Sequence, residues 1–192
     1  MNKHLLLLFT CTLLTFATAT AQKVNDIFPQ TTITYNALDG KEARVTLPRD
    51  GRVCLIVVSR PSGKDSPALN LLQNWQPFLN NLFMKREKEQ ILGGVFEDEG
   101  AYDGEIYYVA LVPGAAENSV LEKIKENARP EDKEHIGVYP VGQSRLDVGK
   151  DELVIYLVHQ KGTIVYKTSG EYSQQKYQGI EGKLQEIRDN TR

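Results

Sequence analysis

Val53-Cys54-Leu55-Ile56-Val57-Val58 is an unbroken apolar run, followed by Ser59-Arg60-Pro61-Ser62-Gly63-Lys64-Asp65 and then by Ser66-Pro67. Six aliphatic or small apolar residues behind an Asp50-Gly51 turn read as a strand covered on both faces, since a half-exposed strand would alternate. The polar stretch reads as a loop. Ser66 is placed to cap a helix and Pro67 to fill its first position, where a missing N–H costs nothing. The spacing predicts a helix to about Lys88, with Leu72, Trp75, Leu79, Leu82 and Phe83 near one face and a kink at Pro77.

Working outward, Thr31 to Asn36 alternates around Ile33 and Tyr35, and Ala43 to Leu47 alternates again after Asp39-Gly40. That pattern predicts an opening hairpin. Ile106 to Leu111 reads as a second core strand, with Tyr107 and Tyr108 facing opposite sides, and Ser119-x-x-Glu122 as the capping box of a helix carrying Val120, Leu121, Ile124 and Ala128. Leu153 to Val158 and Thr163 to Lys167 flank a turn with Gly162 placed for positive φ, and a last helix from about Ser173 repeats Tyr177, Ile180, Leu184 and Ile187. The predicted class is α/β, a mixed β-sheet flanked by helices on both faces with an N-terminal β-hairpin.

The first residues have a different character. Lys3 precedes the apolar stretch Leu5 to Phe16, and Ala19-Thr20-Ala21 gives a small-x-small cleavage pattern before Gln22. The stretch is shorter than the roughly 20 apolar residues that a membrane span needs. Residues 1–21 are therefore expected to be a cleavable signal peptide and 22–192 a single domain, with a periplasmic or secreted location and no stable membrane anchor. Removal of Lys3 takes the formal net charge from −2 to −3, which gives no basic footprint for nucleic acid. It also removes Cys11 and leaves Cys54 as the sole thiol, so an internal disulfide, a Cys-x-x-Cys centre and a multi-cysteine zinc site are all excluded for the mature chain.

The element order, with Asp39-Gly40-Lys41 before the buried strand and Gln160-Lys161-Gly162-Thr163-Ile164-Val165 before the last helix, resembles the thioredoxin-like superfamily over nearly the whole mature chain. Redox members of that superfamily place a reactive cysteine near the start of the helix after the first core strand, where the helix dipole favours a thiolate. Ser59 to Ser66 contains none, and Gly149-Lys150-Asp151-Glu152 stands where thioredoxins carry a cis-proline. Ser59-Arg60-Pro61 with Asn74-Trp75-Gln76-Pro77-Phe78, and Leu157-Val158 with Gly162-Thr163-Ile164 and Ser169-Gly170, also resemble the thioredoxin-like assembly factors of mitochondrial ATP synthase. An export signal differs from an Arg-rich mitochondrial address. The resemblance therefore implies a thioredoxin-like binding module without redox cysteines, and not that particular partner.

Other candidate chemistry reads weakly. Cys54 lies in an apolar run that should raise its pKa, the reverse of what a nucleophile needs. His135 and His159 have no metal-ligand spacing, so no metal is expected. Gly63-Lys64 before a helix suggests phosphate binding, but Asp65 follows where a P-loop needs Ser or Thr. Glu97-Asp98-Glu99, Asp103 and Glu105 do not follow the calcium-loop pattern. The leading expectation is an exported, redox-inactive protein-binding or assembly module, not an enzyme and without a cofactor, meeting a protein partner through Arg60, Lys64 and Asp65. The alternatives are a one-cysteine, peroxidase-like oxidoreductase using Cys54 and a carrier with a closed apolar pocket.

Overall fold

The computed structural model describes residues 21–36, 41–91, 104–112, 117–127, 135–140 and 144–190. In chain order the elements are β1 (Thr31–Asn36), β2 (Glu42–Leu47), β3 (Val53–Ser59), α1 (Pro67–Ile91), β4 (Gly104–Val112), α2 (Glu117–Asn127), β5 (Ile136–Pro140), β6 (Leu153–Val158), β7 (Ile164–Ser169) and α3 (Gln174–Asp189). They form one seven-stranded sheet in the order β2-β1-β5-β4-β3-β6-β7. β3 pairs in parallel with β4 and antiparallel with β6, and every residue of it is buried, as its apolar run predicts.

The opening hairpin pairs Thr31 with Leu47 through to Asn36 with Glu42, and the expected Asp39-Gly40 turn lies outside the described residues. Along the core strands the two-residue side-chain period divides the interior into two layers. Val53, Leu55 and Val57 of β3, Tyr108 and Ala110 of β4 and Ile155 of β6 face one side; Cys54, Ile56, Val58, Tyr107 and Tyr156 face the other. Tyr107 and Tyr108 thus separate to the two faces as their adjacency requires.

The layering corrects one expectation. Helices were expected on both faces, yet the buried side chains of α1 (Leu69, Leu72, Trp75, Leu79, Leu82), α2 (Val120, Leu121, Ile124) and α3 (Ile180, Leu184) all join the first layer. The reason is topological. From β3 to β4 to β5 the chain steps twice in the same direction across the sheet, and two right-handed parallel crossovers in one direction put both helices on the same side. Among the described residues the second face is covered without a helix, by Phe28, by Ile33 and Leu47 of the hairpin, and by Leu146 and Val148.

Two boundaries also differ from the reading of the sequence. α2 begins at Glu117, which puts Ser119 inside the helix instead of at its cap. The strand β5 was not expected, because Gly137 and Pro140 make up two of its five residues and both weaken a strand pattern. Gly137 has a packing role: a Cβ there would lie 2.6 Å from Ile33 Cδ1, so the bare backbone makes room for the β1 side chain beside it. In α1 the helix runs through Pro77, and Trp75 is fully buried with Nε1 donating to Gly170 O at 2.8 Å, which ties α1 to the β7–α3 connection.

Gly137→Ala is expected to lower stability by about 1–3 kcal/mol through overpacking, and trimming Ile33 to Val in the same protein should return part of the loss. Chemical denaturation of the single and double variants measures both.

Candidate functional site

The site is built where β3 ends. Ser59 pairs with Leu153 across the antiparallel β3–β6 ladder, so the loop leaving β3 and the loop arriving at β6 emerge side by side. The ladder continues beyond the strands: Arg60 N–H donates to Glu152 O at 3.0 Å and Asp151 N–H donates to Arg60 O at 2.8 Å. Asp151 then turns with φ of 59°, a left-handed conformation that Asp tolerates better than most residues. That turn aims its carboxylate across the gap at the start of α1.

Asp151 Oδ1 accepts from Ser66 Oγ at 2.5 Å and from Ser62 N–H at 2.9 Å. Ser66 Oγ accepts in turn from Ala68 N–H at 3.2 Å, which makes Ser66 the cap that the sequence predicted, with its proton committed to Asp151. The first turn of α1 contains no acidic residue of its own. Asp151 therefore supplies from the loop before β6 the negative charge that a helix N-terminus favours. The hydroxyl of Ser66 and then the hydroxyl and N–H of Ser62 hold its carboxyl below the ordinary carboxylate range.

The three residues expected to meet a partner have different settings. Arg60 is half-buried, and its guanidinium donates to Val148 O at 3.0 Å, so it braces the incoming loop. Lys64 and Asp65 are both exposed on the turn before Ser66. Sequence reasoning named the segment Gly149 to Glu152 but did not single out Asp151 within it. A short loop with an Asp just before an apolar strand was the available signal, and only the register of β6 on β3 shows where that Asp points.

Cys54 sits at the other end of β3. Ser59 lies five steps along the strand from it, about 17 Å at strand rise. It is fully buried, and desolvation pushes its thiol above the ordinary value. Its Sγ lies 3.7 Å from Arg52 O. Close by, Glu105 pairs with Arg49 at 3.2 Å and Arg52 at 3.1 Å and accepts from the Tyr107 hydroxyl. Glu105 is thus an ion-pair anchor for the turn before β3, while residues 97–99 and Asp103 of the acidic segment lie outside the described residues. His135 lies against the Tyr107 ring at 5.1 Å, and His159 Nδ1 accepts from Lys161 N–H at 3.2 Å within the β6–β7 turn. Among the described residues no three His, Cys, Asp or Glu side chains gather as a metal site, and no helix is long and apolar enough to cross a membrane.

No family model matches the chain, and no curated protein matches it. Solved structures do. A protein assigned as thiol:disulfide interchange protein DsbE from Chlorobium tepidum superposes with a TM-score of 0.55 at 13% identity, covering 87% of this chain and 99% of its own. A protein assigned as a disulfide isomerase from Bacteroides thetaiotaomicron superposes with a TM-score of 0.53 at 18% identity, covering 86% and 89%. The chain has the thioredoxin-like fold. Between β3 and α1, residues 59–67 hold serine, arginine, proline, glycine, lysine and aspartate.

Two outcomes test this geometry. The depressed pKa of Asp151 means that its charge stabilises the fold above the unfolded-state value near 3.8 and that this contribution is lost as pH falls through the lower folded-state value. Asp151→Asn keeps an acceptor and tolerates the turn but loses the charge. It should melt below wild type at pH 7, and the gap should close as pH falls below the ordinary value of 3.8 and through the lower folded-state value. Thiol labelling of the native mature protein should be slow at pH 8 and become fast in denaturant, as the buried setting of Cys54 requires.

Proposed function

We propose that this protein is an exported, redox-inactive thioredoxin-like module that binds another protein, in an assembly or chaperone-like role, through the loop between β3 and α1. The observation that carries the reading is the clamp of Asp151 on Ser62 and Ser66. It holds a carboxylate on the N-cap serine of α1, beside the helix N-terminus that a catalytic thiolate would need, and it leaves a shaped, charged turn at the sheet end. The short apolar stretch before Ala19-Thr20-Ala21 supports export, and the absence of cysteine from residues 59–67 supports binding over redox exchange.

The competing reading is a one-cysteine oxidoreductase using Cys54. The names of the superposing structures, both thiol-exchange proteins, favour it. Its difficulty is access: a thiol with no exposed surface, held above its ordinary pKa by burial, supplies little thiolate to a peroxide or a disulfide.

Lys64 gives the cleaner test of binding, because Arg60 also holds Val148 O and its replacement weakens the fold. Lys64→Glu should leave stability within about 0.5 kcal/mol, whereas Arg60→Glu should cost about 1 kcal/mol or more. In quantitative co-purification of the tagged mature protein from its native envelope, Lys64→Glu with Asp65→Lys should lose its specific companions, and added salt should weaken the wild-type capture. Companions unaffected by these changes would remove the loop from the binding surface, and companions held by a mixed disulfide to Cys54 would overturn the redox-inactive reading.

A further inference from the structure

Gln22 is built into the fold in a way that a first residue rarely is. It is 8% exposed, whereas Ala21 beside it is exposed. Its side-chain amide bridges one stretch of backbone: Nε2 donates to Arg145 O at 2.9 Å, and Oε1 accepts from Asp147 N–H at 3.0 Å. The Tyr156 hydroxyl approaches the same Oε1 at 3.5 Å, and Lys167 Nζ donates to the Gln22 carbonyl at 2.9 Å. The following residues lie down on the β6–β7 hairpin, with Asn25 N–H on Ile164 O, Phe28 N–H on Gly162 O and the Phe28 ring edge-on to Tyr156. Gln22 and Phe28 are thus buried anchors on either side of an exposed stretch, residues 23–27, and the first anchor directly follows the bond where the Ala19-Thr20-Ala21 pattern predicts cleavage.

A glutamine at a free N-terminus can cyclise. The α-amino nitrogen attacks the side-chain Cδ, the N–Cδ bond forms, the Cδ–Nε2 bond breaks, and Nε2 leaves as ammonia with one proton taken from the attacking nitrogen. No oxidant, cofactor or second substrate enters this balance. The product is a five-membered lactam whose amide is cis, so its C=O and N–H lie side by side on one edge.

The open glutamine amide that the seat holds and a lactam both present a carbonyl oxygen beside an N–H on one edge. Arg145 O and Asp147 N–H belong to residues two apart on one segment, and together they present an acceptor and a donor to a single amide edge. A lactam offers its carbonyl to Asp147 N–H and Tyr156 and its ring N–H to Arg145 O. The ring also has no side-chain rotamers left to freeze, so it loses less freedom on docking than an open glutamine. Resting on the export reading, we infer that the mature chain begins with pyroglutamate at position 22 and that this lactam is seated against Arg145, Asp147 and Tyr156, which blocks the N-terminus and pins it to the closing hairpin.

The test is the full chain, made with its own leader in a secreting bacterial host, purified from the exported fraction and examined by intact mass and N-terminal peptide sequencing. The expected species starts at position 22 and is lighter than the glutamine form by one ammonia. Its melting temperature should exceed that of exported Gln22→Ala, which cannot fill the seat, by several degrees. A free Gln22 amine that persists through long incubation at neutral pH would overturn the lactam while leaving export standing. An exported chain starting elsewhere would overturn cleavage at this bond and the inference with it, and a chain that never reaches the exported fraction would overturn the export reading itself. A lactam whose loss in Gln22→Ala leaves the melting temperature unchanged would overturn the seating.

Discussion

The complete burial of β3 is the constraint on which the rest of the molecule depends. A strand with β4 on one edge, β6 on the other and a packed layer on each face has no freedom to shift. A slip of one residue would turn every side chain to the wrong layer. The same burial sets the chemistry of Cys54, whose thiol is desolvated because it shares the fate of Val53 and Leu55. It also fixes where the polar loop from Arg60 to Asp65 emerges, and through Ser59 opposite Leu153 it brings Asp151 within hydrogen-bonding reach of Ser62 and Ser66.

The two ends of β3 therefore carry different electrostatics. At its start, Arg49 and Arg52 converge on Glu105 beside the buried thiol, and this ion pair anchors the turn that feeds the strand. At its end, a single carboxylate from the opposite loop meets a helix N-terminus that has no acidic residue of its own. That carboxylate, held below its ordinary pKa by Ser66 and Ser62, sits against the N-cap serine, a position where a helix N-terminus favours negative charge. The fold is thioredoxin-like, and the charge where β3 ends comes from aspartate.

Much of the architecture was legible in the sequence because it rests on short-range pattern. The apolar run from Val53 to Val58, the alternation of the opening hairpin, Ser66-Pro67 at the start of α1 and Gly162 in the closing turn each identify their own element. β5 was not legible, because Gly137 is small to clear Ile33 of another strand, a reason that exists only after folding. The placement of all three helices on one face was missed for a similar cause: it follows from the order of strands in the sheet, which local pattern does not reveal. The site divides in the same way. The loop from Arg60 to Ser66 could be read, whereas Asp151 and Gln22 gain their meaning from residues 85 and 123 positions away in the chain.

On the proposed reading this fold works without thiol chemistry, and turnover tests it. The purified mature protein, assayed with a reducible protein disulfide under a thiol reductant and with hydrogen peroxide under the same reductant, should give rates equal to buffer alone, in wild type and in Cys54→Ala alike. Turnover of either substrate by wild type that disappears in a folded Cys54→Ala protein would contradict the account and make the buried cysteine the catalytic residue.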